Sequence, residues 1–261
     1  MNRYQSTVNE HIKDIAKLAA DPAERREKKM AVICGSKLCS DALESGVRFV
    51  ELFATEAGTE KYAEVFEKCS RVSGEVSIIS ENIDRKIEGQ KTSQGIFAIV
   101  RIPDDVDLDE LAGSERIIVL AGVQDPGNVG TVIRTAAAFG FRTCILGPGC
   151  ADVWSEKVLR ASMGNCFRVR MHRSDDLGPT LDELRSRGTV TVGAALTDDS
   201  VSIEEADIPL KCAIVIGSEG KGIPEDILPK LDMKVTIPMA PGVESLNAAV
   251  AAAIMMWNYR E

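Results

Sequence analysis

The feature that most constrains the fold is an alternation of strand-like and helix-like segments from residue 116 onward. Short apolar runs rich in β-branched residues predict buried strands, and the intervening segments carry apolar residues at helical spacing. Such alternation predicts an α/β fold, a mainly parallel sheet with helices on both faces. The predicted strands are RIIVLAG (116–122), RTCILG (142–147), CFRVR (166–170), TVTVGAAL (189–196), CAIVIG (212–217) and KVTIP (234–238). The predicted helices cover 128–139, 152–163, 177–187 and a last segment that begins at Ser245.

A second, smaller α/β region precedes this one. Apolar residues at helical spacing predict helices in 8–19, 36–46 and 60–72, and the predicted strands are MAVICG (30–35), RFVELFAT (48–55), EVSIIS (75–80) and GIFAIVRI (95–102). Residues 103–115 combine proline, glycine and a cluster of acids, which is typical of an exposed connection. We therefore predict two domains, residues 1–112 with a leading helix and residues 113–261.

The overall charge argues against RNA binding by bulk attraction. Lys and Arg total 31 against 40 Asp and Glu, a formal charge of −9, so contact with a polyanion has to be local. Between Lys157 and Arg173 the basic residues meet no acid until Asp175. This stretch is a candidate phosphate-contacting surface, with Lys157, Arg160 and Arg168 as predicted RNA-binding residues. A solvated edge of a strand and a helix explains these charges equally well.

The cysteines indicate a reducing compartment. The seven cysteines form no C-x-x-C pair and the chain has two histidines, so neither a zinc site nor a disulfide framework is expected. Thiols inside apolar runs behave as small buried hydrophobes. The N-terminal segment is polar, and the longest apolar run, 248–257, is half a membrane span. We expect a cytoplasmic protein with no metal and no membrane partner.

The first polar segment of interest is NVGTVIRTAAAFG (128–140). Asn128 precedes a core stripe at helical spacing, so its structural role would be to cap a helix. Arg134 projects from a different side and has no acid three or four residues away, where a structural arginine would normally find a partner. This pattern favours Arg134 as a ligand for a phosphate.

The second segment is the glycine-rich loop GSEGKG (217–222). Glycines allow a ligand to approach the backbone closely, but their spacing here fits neither the dinucleotide fingerprint nor the P-loop. Taken alone, a glycine-rich turn after a strand is more often only a turn.

The third segment, residues 235–257, joins a strand to the last helix. Ser245 is the predicted N-cap, and the predicted apolar face contains Leu246, Ala249, Val250, Ala253, Ile254 and Trp257. Alanines on the opposite side predict that this helix is buried on both sides. Burial within the chain and burial at a dimer interface are both compatible with that pattern.

Together these segments resemble the SpoU/TrmH family of SPOUT RNA 2′-O-ribose methyltransferases. The segments NVGTVIRTAAAFG, VIGSEGKGIP (215–224) and IPMAPGVESLNAAVAAAI (237–254) resemble the three family motifs in order, with KVLRASMG (157–164) between the first two. Residues from about 30 to 102 resemble, less specifically, the N-terminal substrate-binding domain of the family, a ribosomal-protein-like α/β module. Relatives often carry an acid where this chain has Cys34, and Val-Ser where it has Ala248 and Ala249.

The resemblance implies a deep trefoil knot that holds S-adenosylmethionine, and a homodimer whose active sites combine both protomers. By similarity, the cofactor would contact Gly217, Glu219, Gly220, Ile237, Met239, Ser245, Leu246 and Asn247. Asn128 and Arg134 would be the catalytic pair. A guanidinium is a poor base, which favours a role for Arg134 in binding the adjacent phosphate and stabilising the developing alkoxide over a role as general base.

The expected function is S-adenosylmethionine-dependent methyl transfer to a ribose 2′-hydroxyl of RNA. Ribosomal RNA is favoured over tRNA because of the appended N-terminal domain. The alternatives are a tRNA 2′-O-methyltransferase and a catalytically silent RNA-binding factor of the same fold. A nucleotide-dependent oxidoreductase is disfavoured because no G-x-G-x-x-G follows a predicted strand.

Overall fold

A computed structural model describes residues 2–89, 93–113, 115–243 and 245–259 of the chain. Its internal contacts divide the chain into two compact units, Met1–Pro103 with Asp152–Phe167, and Asp104–Ala151 with Arg168–Glu261. The predicted division between residues 112 and 113 differs from these units in two places. Residues 104–112 group with the second unit, and the segment 152–167 groups with the first.

The first unit is built on a mixed five-stranded sheet with the order β1-β4-β3-β5-β2. Strand β5 is antiparallel to β2 and β3, and the other pairs are parallel. The elements up to residue 101 are β1 (Asn2–Tyr4), α1 (Glu10–Ala20), α2 (Pro22–Lys28), β2 (Met30–Cys34), α3 (Ser36–Glu44), β3 (Phe49–Ala54), α4 (Glu56–Lys61), α5 (Ala63–Ser70), β4 (Glu75–Ile79), α6 (Glu81–Glu88) and β5 (Ile96–Arg101).

The core of the first unit confirms the predicted leading helix. Ile12, Ile15 and Leu18 of α1 are buried against the sheet, as their helical spacing requires. Beneath them the rings of Phe53 and Phe97 stack with centroids 4.6 Å apart. The predicted helix 60–72 is instead two helices, α4 and α5, because the backbone of Tyr62 leaves the helical region between them.

The second unit confirms the predicted parallel sheet. Its seven strands run in the order β10-β12-β9-β11-β6-β7-β8, and every neighbouring pair is parallel. The elements from residue 104 onward are α7 (Leu108–Ala112), β6 (Arg116–Ala121), α8 (Pro126–Ala138), β7 (Thr143–Leu146), α9 (Glu156–Ala161, in the first unit), β8 (Arg170–Arg173), α10 (Leu177–Ser186), β9 (Val190–Ala194), β10 (Val201–Ser202), β11 (Cys212–Gly217), β12 (Met233–Thr236) and α11 (Ala248–Asn258).

The prediction of an exposed connection at 103–115 is wrong in part. The segment contains the short helix α7, capped by Asp107, and Leu111 is fully buried in the core beneath the parallel sheet. Val106 packs against the same core, and its backbone N–H donates to the carbonyl of Met171. Two apolar side chains therefore anchor a segment whose composition is otherwise that of a loop.

The cysteines are buried as predicted. Cys150 is partly exposed and the other six are buried. Burial raises the pKa of the Cys166 thiol to about 12 and that of Cys212 to about 11, so both are protonated near neutral pH. Within the part of the chain that the structure covers, every helix is too short or too polar to cross a lipid bilayer.

Candidate active site

Three polar segments meet at the carboxyl edge of the parallel sheet. Strands β6, β11 and β12 all run in one direction, so the segments that follow Ala121, Gly217 and Thr236 leave from the same edge. Ligands of open parallel sheets bind outside the carboxyl ends of their strands. The topology therefore brings together segments that are separated by more than a hundred residues along the chain.

A cavity of about 490 Å³ opens at this edge. This volume falls within the range of roughly 300–1,000 Å³ that is typical of small-molecule sites. Seven of the eight residues predicted to hold a cofactor line it, namely Gly217, Glu219, Gly220, Ile237, Met239, Ser245 and Leu246. The eighth, Asn247, reaches the site through hydrogen bonds of its side chain.

The glycine-rich loop owes its shape to a close backbone approach. The N–H groups of Ser218 and Gly222 donate to each other's carbonyls, at 3.0 and 2.8 Å. A Cβ atom at Gly217 would lie 2.1 Å from the carbonyl carbon of Gly222, so this position requires glycine. Gly220 has open space around its Cα, which leaves the backbone accessible from the cavity.

A polar network joins all three segments. One carboxylate oxygen of Glu219 accepts hydrogen bonds from the side-chain amides of Asn128, at 2.5 Å, and Asn247, at 2.6 Å. The amide of Asn247 also donates to the side-chain oxygen of Asn128, at 3.0 Å. The network fixes the rotamer of Asn128 through a charged acceptor, which gives a stronger bond than a neutral one.

Both predicted helix caps lie at other residues. Asp125 caps α8, since its carboxylate accepts from the backbone N–H of Asn128 at 2.9 Å. Asn247, rather than Ser245, caps α11 by accepting from the N–H groups of Ala249 and Val250. The side chain of Asn128 is therefore available to the site, and Asn247 serves both the helix and the network.

Arg134 lies one and a half turns further along α8 and is exposed. None of the residues that the structure covers forms a hydrogen bond or ion pair with its guanidinium. This arrangement agrees with the sequence pattern that favours an external anion as its partner.

Sequence reasoning missed one wall of the cavity. Residues 194–197, at the end of β9 and directly after it, also line it. Strand β9 lies between β11 and β12, so its carboxyl end has to reach the same edge. Predicting that these residues line the cavity would have required the strand order of the sheet, which a single sequence does not reveal.

The three predicted RNA-binding residues are divided between the two units. Lys157 is exposed on α9, and Arg160 on the same helix is bound to Glu156 at 3.3 Å, an acid that precedes the basic stretch. Arg168 is exposed in the second unit. Their role in RNA binding stays a prediction.

Comparison with known proteins shows that the chain is similar to RNA-modifying enzymes. The structure of an AdoMet-bound rRNA methyltransferase from Sinorhizobium meliloti superposes with a TM-score of 0.88 at 27% identity, covering 99% of this chain and 97% of that one. The SpoU methyltransferase AviRb of Streptomyces viridochromogenes, solved in complex with the cofactor AdoMet, gives a TM-score of 0.85 at 25% identity, covering 96% and 97%.

The particular family follows from the sequence comparisons. The SpoU rRNA Methylase family matches residues 115–257, and an MRM3-like substrate binding domain matches residues 9–98. The 23S rRNA (guanosine(2553)-2′-O)-methyltransferase RlmP of Bacillus subtilis is 32% identical over 100% of both chains. The chain belongs to the SpoU rRNA methylase family, which confirms the resemblance of the three motifs.

Proposed function

We propose that the protein transfers a methyl group from S-adenosylmethionine to a ribose 2′-hydroxyl of ribosomal RNA. The observation that carries this proposal is the junction of the cavity with Asn128, Glu219 and Asn247 in a SpoU family chain, with the exposed Arg134 on the same helix as Asn128. The pocket can hold the donor, and the polar side chains next to it can orient an acceptor.

The residues of the cavity fit S-adenosylmethionine. Gly217, Gly220 and Gly222 expose backbone to the pocket, while Ile216, Ile237 and Leu246 provide apolar walls for a flat base. The charged residues Glu219 and Lys221 line the cavity, and of these the Glu219 carboxylate can complement a sulfonium. When bound, the cofactor supplies an electrophilic methyl group and a thioether leaving group.

The polar residues would act on the RNA by positioning. Methyl transfer needs the hydroxyl oxygen in line with the sulfur–methyl bond, and orientation alone can lower a barrier by about 7–11 kcal/mol in favourable cases. We assign to Arg134 the phosphate next to the target ribose and the charge that develops on the 2′-oxygen. Asn128, held by Glu219, would orient the ribose.

Ribosomal RNA is favoured over tRNA by two features. RlmP, a relative that matches over its full length, is a 23S rRNA methyltransferase, and residues 9–98 match an MRM3-like substrate binding domain. Lys157, Arg160 and Arg168 are proposed to contact RNA phosphates. A trefoil knot formed by the glycine-rich loop and the segment before α11 is proposed from the family, as is a homodimer.

The deciding experiment incubates the protein with labelled S-adenosylmethionine and unmodified ribosomal RNA or tRNA, then maps resistance to alkaline cleavage. A 2′-O-methyl group removes the nucleophile of that cleavage, so one resistant phosphodiester identifies the atom and the nucleotide. Label in ribosomal RNA without a resistant bond would mean methylation at another atom. Cofactor binding without methyl transfer to either RNA would indicate a catalytically silent binding factor.

A further inference from the structure

A second cavity lies at the opposite, amino edge of the parallel sheet. It measures about 350 Å³, and Arg116, Arg142 and Arg170 contribute to its lining. These arginines stand at or just before the first residues of β6, β7 and β8, three neighbouring strands. A six-residue strand spans about 20 Å, which separates this cavity from the candidate active site.

The sheet register aligns two of the three arginines and leaves Arg170 one residue out of step, beside Thr143. Ile117 pairs with Thr143, and Thr143 pairs with Arg170, so Arg116 and Arg142 occupy equivalent positions on adjacent strands. The Arg170 guanidinium donates to the hydroxyl of Thr143 at 3.2 Å, which orients it along the sheet edge. All three arginines, from the starts of three neighbouring strands, nevertheless line the same cavity.

The surroundings keep this cavity open and positive. Gly140 adopts φ +81°, and its missing Cβ would lie 3.6 Å from a terminal nitrogen of Arg116, so no side chain covers that guanidinium there. Arg116 is 6% exposed, whereas Arg142 and Arg170 are exposed. Among the lining residues that the structure covers, only Glu115 is acidic.

We propose that this cavity binds a phosphodiester group of the RNA, as a second anchoring point remote from the methyl-transfer site. Planar guanidinium groups match phosphate oxygens in pairs, which makes an arginine cluster a better phosphate ligand than scattered lysines. The chain as a whole is acidic, so RNA has to be held by local basic sites of this kind. The choice of RNA as ligand rests on the proposed function.

The test removes the two exposed arginines with Arg142→Gln and Arg170→Gln. Binding of a short fluorescein-labelled RNA of mixed sequence is measured by anisotropy at several salt concentrations, without S-adenosylmethionine. Each lost contact to a single strand lowers the slope of log affinity against log salt by about 0.7, so the double variant should lose about 1.4. Arg185→Gln with Arg187→Gln is the matched control, because these exposed arginines, on α10 and directly after it, lie in the same unit and are bound to acids.

An equal loss in both double variants, or an unchanged slope in the first, overturns the proposal. Inorganic phosphate, titrated by calorimetry, provides the second arm: heat of binding with an unchanged RNA slope would mean that the cavity holds a small free anion, which also overturns it. Methyl transfer to ribosomal RNA is measured separately on the wild-type protein. A lost slope without methyl transfer would reject the proposed function and retain this site.

Discussion

The Arg134 guanidinium projects from α8 into solvent, and its proposed partner is the phosphate beside the target ribose. Lysine keeps the positive charge but loses the planar fork that contacts two oxygens. We expect Arg134→Lys to bind S-adenosylmethionine with unchanged affinity and to lower kcat by about 100-fold, the scale on which a single oxyanion ligand acts. Calorimetry and single-turnover methyl transfer measure the two effects. Arg187→Lys is the control, and a near-normal rate for Arg134→Lys would reject the role.

In the first unit, the carboxylate of Glu88 is buried and has a raised pKa. It is 1% exposed on α6 and lies one turn after Asp84, which is fully buried. Burial, reinforced by the Asp84 charge, raises the pKa of Glu88 from 4.5 to about 7. Its side chain accepts from the N–H of Gln94, and the Gln94 side chain accepts from the N–H of Ser36 at 3.1 Å. Glu88 therefore connects the segment before β5 to the start of α3.

The raised pKa makes stability depend on pH. The folded state binds the Glu88 proton more tightly than the unfolded chain does, so stability falls as the pH rises from about 4.5 to about 7 and is constant above that. The full effect on the free energy of unfolding is at most about 3 kcal/mol.

We expect Glu88→Gln to unfold at higher urea concentration than wild type at pH 8, and its free energy of unfolding to depend less on pH between pH 5 and pH 8. Glu64→Gln, at an exposed ion pair with Lys68, should keep the wild-type dependence. Equal slopes for Glu88→Gln and wild type would contradict this account.

At the scale of elements, the start of α8 carries two polar residues with different roles: Asp125 stabilises the helix, and Asn128 belongs to the candidate active site. Asp125 caps the helix through its carboxylate, while the side chain of Asn128 bonds to Glu219 and Asn247. Loss of a cap costs about 1 kcal/mol. We expect Asp125→Ala to lower the free energy of unfolding by that amount, and Asn128→Ala to leave it nearly unchanged while methyl transfer is largely lost. Urea denaturation and methyl-transfer rates of the two variants test these roles. A loss of stability in Asn128→Ala but not in Asp125→Ala would show that Asn128, rather than Asp125, has the structural role.

The sequence predicted most elements because their periodicity agrees with their burial. The strands of the parallel sheet are continuous apolar runs, and the site residues follow their carboxyl ends. The start of α11 was not predictable in the same way. Ser245 and Asn247 are both good caps, and Asn247 prevails where it also bonds to Glu219, 28 residues earlier. The predicted apolar face of α11 is right in part. Ala249 is buried, but Val250 and Trp257 are 47% and 53% exposed, and the other buried residues of the helix are Ala248, Ala252, Met255 and Met256.

At the scale of the whole molecule, the exposed face of α11 bears on the proposed homodimer. Val250 and Trp257 lie two turns apart on one side of the helix, and Trp257 contacts Phe139, which follows α8, with ring centroids 5.5 Å apart. An apolar helix face beside a functional site is typical of an interface between copies of a chain. Two copies joined there would bring their α11 helices together, an arrangement compatible with the homodimer that the resemblance implies.

Val250→Glu tests that arrangement with little risk to the fold. Residue 250 is the third residue of α11, and a carboxylate in the first turn of a helix is favourable. We expect the wild-type protein to elute as a dimer in size exclusion with light scattering, and Val250→Glu as a monomer with unchanged helical circular dichroism. Leu210→Glu, at a residue with 52% exposure in the same unit, should stay dimeric. If Val250→Glu remains a dimer, this face is not the contact and the two copies must meet through another surface.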